Sequence, residues 1–377
     1  MPRDIGVKSS VVGAGQPVYS RTMNGNEANL HLPPSEEMYR ALVERDTRSD
    51  GLFVAAIRTT GIFCRPSCGA RKPKPENVEY FATPREAMLR GYRPCKRCSP
   101  LDVPGRTPPE IAHLIADLHA KPDVRLRDAD LRHRGLQPER IRRWFKKHHG
   151  MTFHAYQRLL RLGIAFDRIR QGEDIASAAF ASGHGSLSGF GEAFKRTAGH
   201  SPNQSRQREL VTISRIETAL GPMFVGSVDR GVCLLEFVDR RMLETQLDRV
   251  RRILNAELYP GEHRLNRAME TELAEYFAGT RRAFDVPLVT AGTPFQESVW
   301  AELRSIPYGE TRSYAEQAKR IGRPTAVRAV ARANGDNRIA IVIPCHRVIG
   351  SDGKLTGYGG GLWRKQRLLD LEQSLQS

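Results

Sequence analysis

No run in this chain approaches the roughly 18 consecutive apolar residues that a membrane helix needs, so no membrane partner is expected. The opening MPRDIGVKSSVVGAG lacks the apolar core of a signal peptide, and a cytoplasmic location is expected. Cysteine is scarce: six in 377 residues, Cys64, Cys68, Cys95, Cys98, Cys233 and Cys345. In a reducing compartment these read as metal ligands, nucleophiles or core residues rather than disulfides. Acid is in deficit too, with 42 Asp and Glu against 59 Lys and Arg, a formal net charge of +17. That excess suits a polyanionic partner, nucleic acid first, although a ribosome-associated or merely basic protein would share it. No tandem repeat of fixed period is present.

The length exceeds one ordinary hydrophobic core, and the pattern of the segments predicts a multidomain α+β protein. Residues 1–30 are Gly, Ser, Asn and charge without period, expected to be a disordered arm. A small cysteine-bearing domain is expected over 31–103. SPLDVPGRTPPE (99–110) carries four prolines and a glycine in twelve residues and reads as a linker. Ile111, Leu114, Ile115 and Leu118 open a helical periodicity, giving an all-α domain over 104–206. MFVGSVDRGVCLLEFVD alternates and then gives way to helical patterns, which predicts an α/β subdomain over 207–290 with Cys233 as core. Residues 291–377 read as helices around a short extended run, IAIVIP.

CRPSC and CKRC set two close cysteine pairs with 26 residues between them, a spacing that closes a tetrahedral thiolate site. One zinc ion held by Cys64, Cys68, Cys95 and Cys98 is expected, and four protein ligands leave no open position. TTGIFCRPSC together with ENVEYFATPREAMLRGYRPCKRCSP resembles the amino-terminal domain of the Ada family. The resemblance implies that Cys64, first of the four, takes a methyl group from a methyl phosphotriester in DNA and so converts the protein into a transcriptional activator.

Between 125 and 170 there are 13 Lys and Arg against 4 Asp and Glu. GLQPERIRRWFKKHHGMTFHAY places Ile141, Trp144 and Phe145 on one face and basic residues elsewhere, as a DNA recognition helix does. Arg140, Arg143 and Lys147 are its candidate DNA contacts, with a functionless basic helix as the bland alternative. IASAAFASGHGSLSGFGEAFKRTAGHSP resembles the second half of AraC-type helix-turn-helix domains through Phe190, Phe194, Lys195, Gly199, Ser201 and Pro202. Lys195 is the DNA contact implied there. His184 departs from the family's usual aromatic, and Gly189 and Gly191 each weaken the second recognition helix by about 0.5–1 kcal/mol relative to Ala.

IVIPCHRVI puts a Cys and a His side by side after a proline, and adjacent strand residues face opposite ways. Cys345 and His346 are therefore expected where a strand has ended and the backbone bends. With a carboxylate to orient the imidazole, they form a nucleophile constellation; a papain-like protease is the rival, and a buried inert cysteine the plain alternative. Residues 295–372 resemble O6-alkylguanine-DNA alkyltransferases, with PCHRV as the specific motif. The resemblance implies Cys345 as methyl acceptor, His346 as base through a water, Glu372 as its orienting carboxylate and Asn337 as holder of the turn. It also implies Tyr314 beside the nucleotide phosphate, assisting protonation of the leaving guanine, and Arg328 filling the stack vacated by the flipped base. Tyr358 and Gly360 would line the pocket; GYGGG is either backbone kept close to that base or a turn. The whole then implies irreversible methyl transfer from O6-methylguanine and O4-methylthymine, with double-stranded DNA and RNA polymerase as partners of a monomer. The rival is a zinc-containing AraC-type transcription factor without transferase activity.

Overall fold

A computed structural model describes residues 32–101 and 107–374; the expected disordered arm falls outside them, as does the middle of the expected linker at 99–110. The cysteine region opens with helix α1 (Ser35–Glu44), which buries Met38, Ala41 and Leu42. Strands β1 (Val54–Ile57), β2 (Ile62–Cys64) and β3 (Val78–Phe81), helix α2 (Pro84–Leu89) and β4 (Arg93–Pro94) follow. The sheet runs β3-β1-β2-β4, and its core is small: Val54, Ala56, Phe63 and Ala87 form one cluster. A core of that size leaves folding dependent on a further staple.

Six helices come next: α3 (Pro109–Ala120), α4 (Asp128–His133), α5 (Pro138–His149), α6 (Phe153–Arg170), α7 (Ile175–Ala181) and α8 (Leu187–Ala198). Prolines begin α3 and α5, where the missing N–H costs nothing, and Gly150 and Gly199 end α5 and α8 with φ of 69° and 76°. Two cores result. Phe153, Tyr156 and Leu160 of α6 pack with α3 and α5, while Leu162, Phe166 and Ile169 pack with α7 and α8. The helix carrying Gly189 and Gly191 forms, its start held by the Ser186 hydroxyl accepting from the Gly189 N–H and its inner face by buried Phe190 and Phe194.

After α8, Ser201 caps a 3-10 helix at Pro202–Gln207 and β5 begins at Glu209. Strands β5 (Glu209–Ile216), β6 (Met223–Val228) and β7 (Gly231–Phe237), helix α9 (Leu243–Ile253), β8 (Ala256–Pro260) and α10 (Arg264–Phe277) build a sheet ordered β7-β6-β5-β8. Every residue of β7 is buried, which fixes Cys233 as core. Tyr259 of β8 belongs to the second helical core, and a Cβ at Gly163 would lie 2.7 Å from its Cβ. Glycine there lets α6 approach the sheet.

The last segment contains α11 (Pro294–Arg304), β9 (Arg312–Ser313), α12 (Tyr314–Arg320), α13 (Val327–Gly335), β10 (Val348–Ile349) and α14 (Leu362–Ser374). The expected strand IAIVIP does not form. Ile339 makes a single bridge to Leu235, Ile341 has a φ of 71°, and Cys345–Arg347 is a 3-10 turn. One large cluster joins this segment to β6, β7 and α10 through residues such as Val225, Leu235, Met269, Trp300, Ile339 and Leu368. Burial of these apolar side chains, rather than a ladder of hydrogen bonds, holds the 339–343 segment in place.

Candidate active site and metal centre

Asn337 sets the geometry at Cys345. Its Oδ1 accepts the Ile339 N–H at 3.0 Å, while its Nδ2 donates to the Ile343 carbonyl at 2.8 Å and to Cys345 Sγ at 3.2 Å. The side chain thus closes the irregular turn and presents a donor to the sulfur. Burial pushes the Cys345 thiol up, opposed by the Asn337 hydrogen bond and by the charges of Arg240 and Lys365.

His346 is fully buried beside it, with Nε2 2.9 Å from Glu372 Oε1. Glu372 also accepts from the Tyr276 hydroxyl at 2.7 Å, the Gly309 N–H at 3.1 Å, and Nε and Nη2 of Arg347 at 2.8 and 2.9 Å. Burial by itself would raise the Glu372 pKa, but these His346 and Arg347 contacts outweigh it and hold the carboxyl well below the usual range. An ionised carboxylate only accepts, so the His346 proton sits on Nε2 and the Nδ1 lone pair stays available. Nδ1 is buried and has no hydrogen-bond partner among the described residues. Burial also lowers the His346 pKa, against the opposing pull of Glu372, so the ring is neutral at neutral pH.

The pocket residues come from α12 and from the loop before α14. The Tyr314 hydroxyl donates to the Thr356 carbonyl at 3.2 Å, and burial raises its pKa. Tyr358 lies 6.5 Å from the His346 ring, edge-on, and burial keeps its hydroxyl protonated. A Cβ at Gly360 would stand 2.7 Å from Phe237 Cδ2 and 2.9 Å from Tyr358 Cε1. The glycine run therefore serves a close approach, with Gly361 also turning at a φ of 93°. Arg328 is exposed in the first turn of α13 and apart from this buried group.

Sequence reasoning did not find Arg347, Tyr276 or Lys365. Arg347 lies inside PCHRV and was within reach of inspection; Tyr276, 96 residues from Glu372, carries no local signal. Lys365 is fully buried, donates to the carbonyls of Val348 and Thr356, and is lowered to about 8 by burial, with Cys345 opposing.

At the other end of the chain, the sulfurs of Cys64, Cys68, Cys95 and Cys98 all lie within 4.8 Å of one another. Tetrahedral zinc at about 2.3 Å from each sulfur needs sulfurs about 3.8 Å apart, so the set fits one zinc ion with little adjustment. Cys64 ends β2, and the turn to Cys68 is tied by Ser67, whose N–H and hydroxyl donate to the buried Asp50. The Arg65 N–H donates to Cys98 Sγ at 3.4 Å. Cys64 is 5 % exposed and Cys98 is more open, so exposure does not single out Cys64 among the four.

On α5, Arg140, Arg143 and Lys147 form one exposed stripe flanking the buried face of Ile141, Trp144 and Phe145. Arg140 reaches Glu110 at 2.7 Å in an exposed ion pair that nucleic acid can displace at little cost. Lys195 is exposed on α8. No described helix is long and apolar enough to cross a membrane.

Exposed basic helices, a four-thiolate centre and a second sulfur backed by an imidazole–carboxylate pair define a DNA-binding protein with cysteine chemistry at two places. Three family models cover these parts in order. Residues 37–101 match the metal binding domain of Ada, 132–208 a helix-turn-helix domain, and 294–374 the DNA binding domain of 6-O-methylguanine DNA methyltransferase. The chain is 35% identical over 348 residues to the bifunctional transcriptional activator/DNA repair enzyme Ada of Escherichia coli, covering 89% of this chain and 96% of that protein. It belongs to the Ada family. A methylated-DNA–protein-cysteine methyltransferase of Methanosarcina barkeri is 45% identical over 160 residues, which is 42% of this chain and 95% of that protein. A crystal structure of Mycobacterium tuberculosis O6-methylguanine methyltransferase covers 44% of this chain and 93% of its own at 43% identity, with a TM-score of 0.38.

Proposed function

We propose that Cys345 takes the methyl group of O6-methylguanine, and of O4-methylthymine, from double-stranded DNA in a single irreversible transfer. The observation that carries this reading is the buried chain Asn337–Cys345 and His346–Glu372, a donor on the sulfur and a neutral base beside it. A methylated base inside a duplex is out of reach, so it is flipped at a cost of a few kcal/mol, which Arg328 offsets by entering the stack. His346 Nδ1 takes the thiol proton through a bridging water. Sulfur then attacks the methyl carbon; the S–CH3 bond forms as the O6–CH3 bond breaks, and the guanine anion is reprotonated with the help of the protonated Tyr314 hydroxyl. The thioether has no facile leaving group, so each molecule acts once.

At the amino-terminal centre, bound zinc supplies the positive charge that keeps the thiols ionised at neutral pH. Cys64 is the methyl acceptor: its S–CH3 bond forms as the O–CH3 bond of a phosphotriester breaks, leaving an ordinary phosphodiester. One negative charge facing DNA disappears, worth roughly 1–4 kcal/mol at about 4 Å, or one to three decades of affinity. Arg140, Arg143, Lys147 and Lys195 then hold promoter DNA, and the protein, acting as a cytoplasmic monomer, engages RNA polymerase. Supporting the organisation is the order of the parts, which divides as 31–103, 104–206, 207–290 and 291–377. A transcription factor with an inert carboxy-terminal region accounts for the basic helices but not for a buried imidazole–carboxylate pair beside a largely buried thiol. Incubation with DNA bearing O6-methylguanine, followed by mass measurement of tryptic peptides, is expected to add one methyl to the Cys345 peptide; an unmodified Cys345 in folded protein sinks the reading.

A further inference from the structure

We infer that Arg240, in the turn after β7 and outside the segment that carries the alkyltransferase motif, is a positioning residue for Cys345 that fixes both the donor to its sulfur and the loop over its pocket. This rests on Cys345 being the methyl acceptor. Arg240 is buried, and its guanidinium makes three hydrogen bonds. Nη1 donates to Glu236, itself fully buried, and to the Asn337 carbonyl at 3.0 Å; Nη2 donates to the Gly335 carbonyl. Gly335 and Asn337 are the last residue of α13 and the residue whose amide reaches Cys345 Sγ. One cation thus pins the end of the helix bearing Arg328 to the turn that presents the sulfur.

The other face of the guanidinium meets the pocket loop. A Cβ at Gly359 would stand 2.7 Å from Arg240 Cζ, 2.9 Å from Nε and 3.0 Å from Nη1. A guanidinium held by three hydrogen bonds in a buried site does not yield as a free side chain would, so Gly359 is glycine because Arg240 is beneath it. Gly359 precedes Gly360, which touches Phe237 and Tyr358, so the loop, β7 and the turn meet at this residue. Asn337 donates to the sulfur, and the charges of Arg240 and of Lys365 from α14 and the hydroxyls of Tyr314 and Tyr358 interact with it electrostatically; His346 is its sequence neighbour and Glu236 is the counter-ion of Arg240. The Arg240 and Lys365 charges both favour the thiolate.

Four variants of the full-length, zinc-loaded protein test this: Arg240→Ala, Arg240→Lys, Gly359→Ala and the Arg240→Ala/Gly359→Ala pair. The rate of methyl transfer to Cys345 and the pH profile of Cys345 alkylation by iodoacetamide are read for each, with thermal unfolding as the folding control. Arg240→Ala is expected to slow methyl transfer at least tenfold and move the alkylation profile up by about one pH unit, tenfold less thiolate at a given pH. Gly359→Ala is expected to slow transfer in the parent and to be harmless once Arg240 is alanine, because the space is then open. Restored charge in Arg240→Lys should recover part of the profile. A profile that stays put, or a Gly359→Ala cost that is the same in both backgrounds, overturns the inference. Iodoacetamide needs no methylated DNA, so this outcome is separable from a failure of Cys345 to accept methyl.

Discussion

Cys345 is positioned by side chains from the segments just after β7 and α13 and from α14, brought together by the largest apolar cluster among the described residues. Cys64, by contrast, is positioned by three other cysteines and short turns in a region whose clusters hold only a few buried side chains each. Both sites counter the burial that disfavours a thiolate, one with a hydrogen bond and neighbouring cations, the other with a metal. The difference follows from what surrounds them: a large core can hold an irregular turn in a fixed shape, whereas a small one needs a staple.

Chelation should separate the two most sharply. Structural zinc contributes apparent binding energies of about 10–16 kcal/mol in small domains. Treating the full chain with a strong chelator is expected to abolish methyl transfer from phosphotriesters and to unfold residues 32–101, while transfer from O6-methylguanine to Cys345 proceeds at its former rate. Single-turnover assays on the two substrates, alongside circular dichroism, check this. If transfer to Cys345 disappears together with the metal, the two sites are one cooperative unit and the contrast fails.

The next effect belongs to Glu372. Glu372→Gln keeps the shape but removes the charge, so the His346 tautomer is no longer fixed and Arg347 loses its partner. A general base contributes about 10²–10⁴-fold, and that is the expected drop in transfer to Cys345, with phosphotriester transfer unchanged. Removing one member of a buried ion pair also costs about 3–5 kcal/mol of stability, so unfolding must be measured in parallel. The pH dependence has a definite sign: burial lowers the His346 pKa, so the ring remains a neutral base down through the ordinary imidazole range near 6.5. Transfer by the parent protein should decline only at lower pH, as His346 protonates; a decline centred above 6.5 points to the thiol as the titrating group instead.

Much of this was legible in the chain itself, and the parts that were not share one cause. The two cysteine pairs, the Cys345–His346 dyad and the basic face of α5 are written in local spacing. Glu372 and Asn337 came from resemblance to alkyltransferases, and the geometry places them on His346 and on the sulfur. IAIVIP read as a strand because four of its residues are apolar and β-branched, but it is held by contacts to distant elements and takes a left-handed turn at Ile341. Tyr276 and Arg240 were missed for the same reason: they act on residues 96 and 97 positions away, and no short window records that, while the ammonium of Lys365 turns back to carbonyls 17 and 9 positions before it. Gly163 and Gly359 likewise look like helix or loop glycines until Tyr259 and Arg240 are seen against them.

The smallest expected effect tests whether the two methylations speak to DNA differently. Methylation of Cys64 removes a negative charge from a surface that meets phosphates, so binding to promoter DNA should strengthen by one to three decades at low salt. Screening erodes that advantage as the Debye length falls from about 10 Å at 0.1 M to about 3 Å at 1 M, and the plot of log affinity against log salt should steepen by up to about one unit. Methylation of Cys345 exchanges a thiol for a thioether inside the protein, so the same plot should not move. Lys147→Ala provides the scale, since losing one phosphate-contacting cation flattens the slope by about 0.9. Equal slopes for protein methylated at Cys64 and protein methylated at Cys345 would mean that the amino-terminal centre senses damage through shape rather than charge.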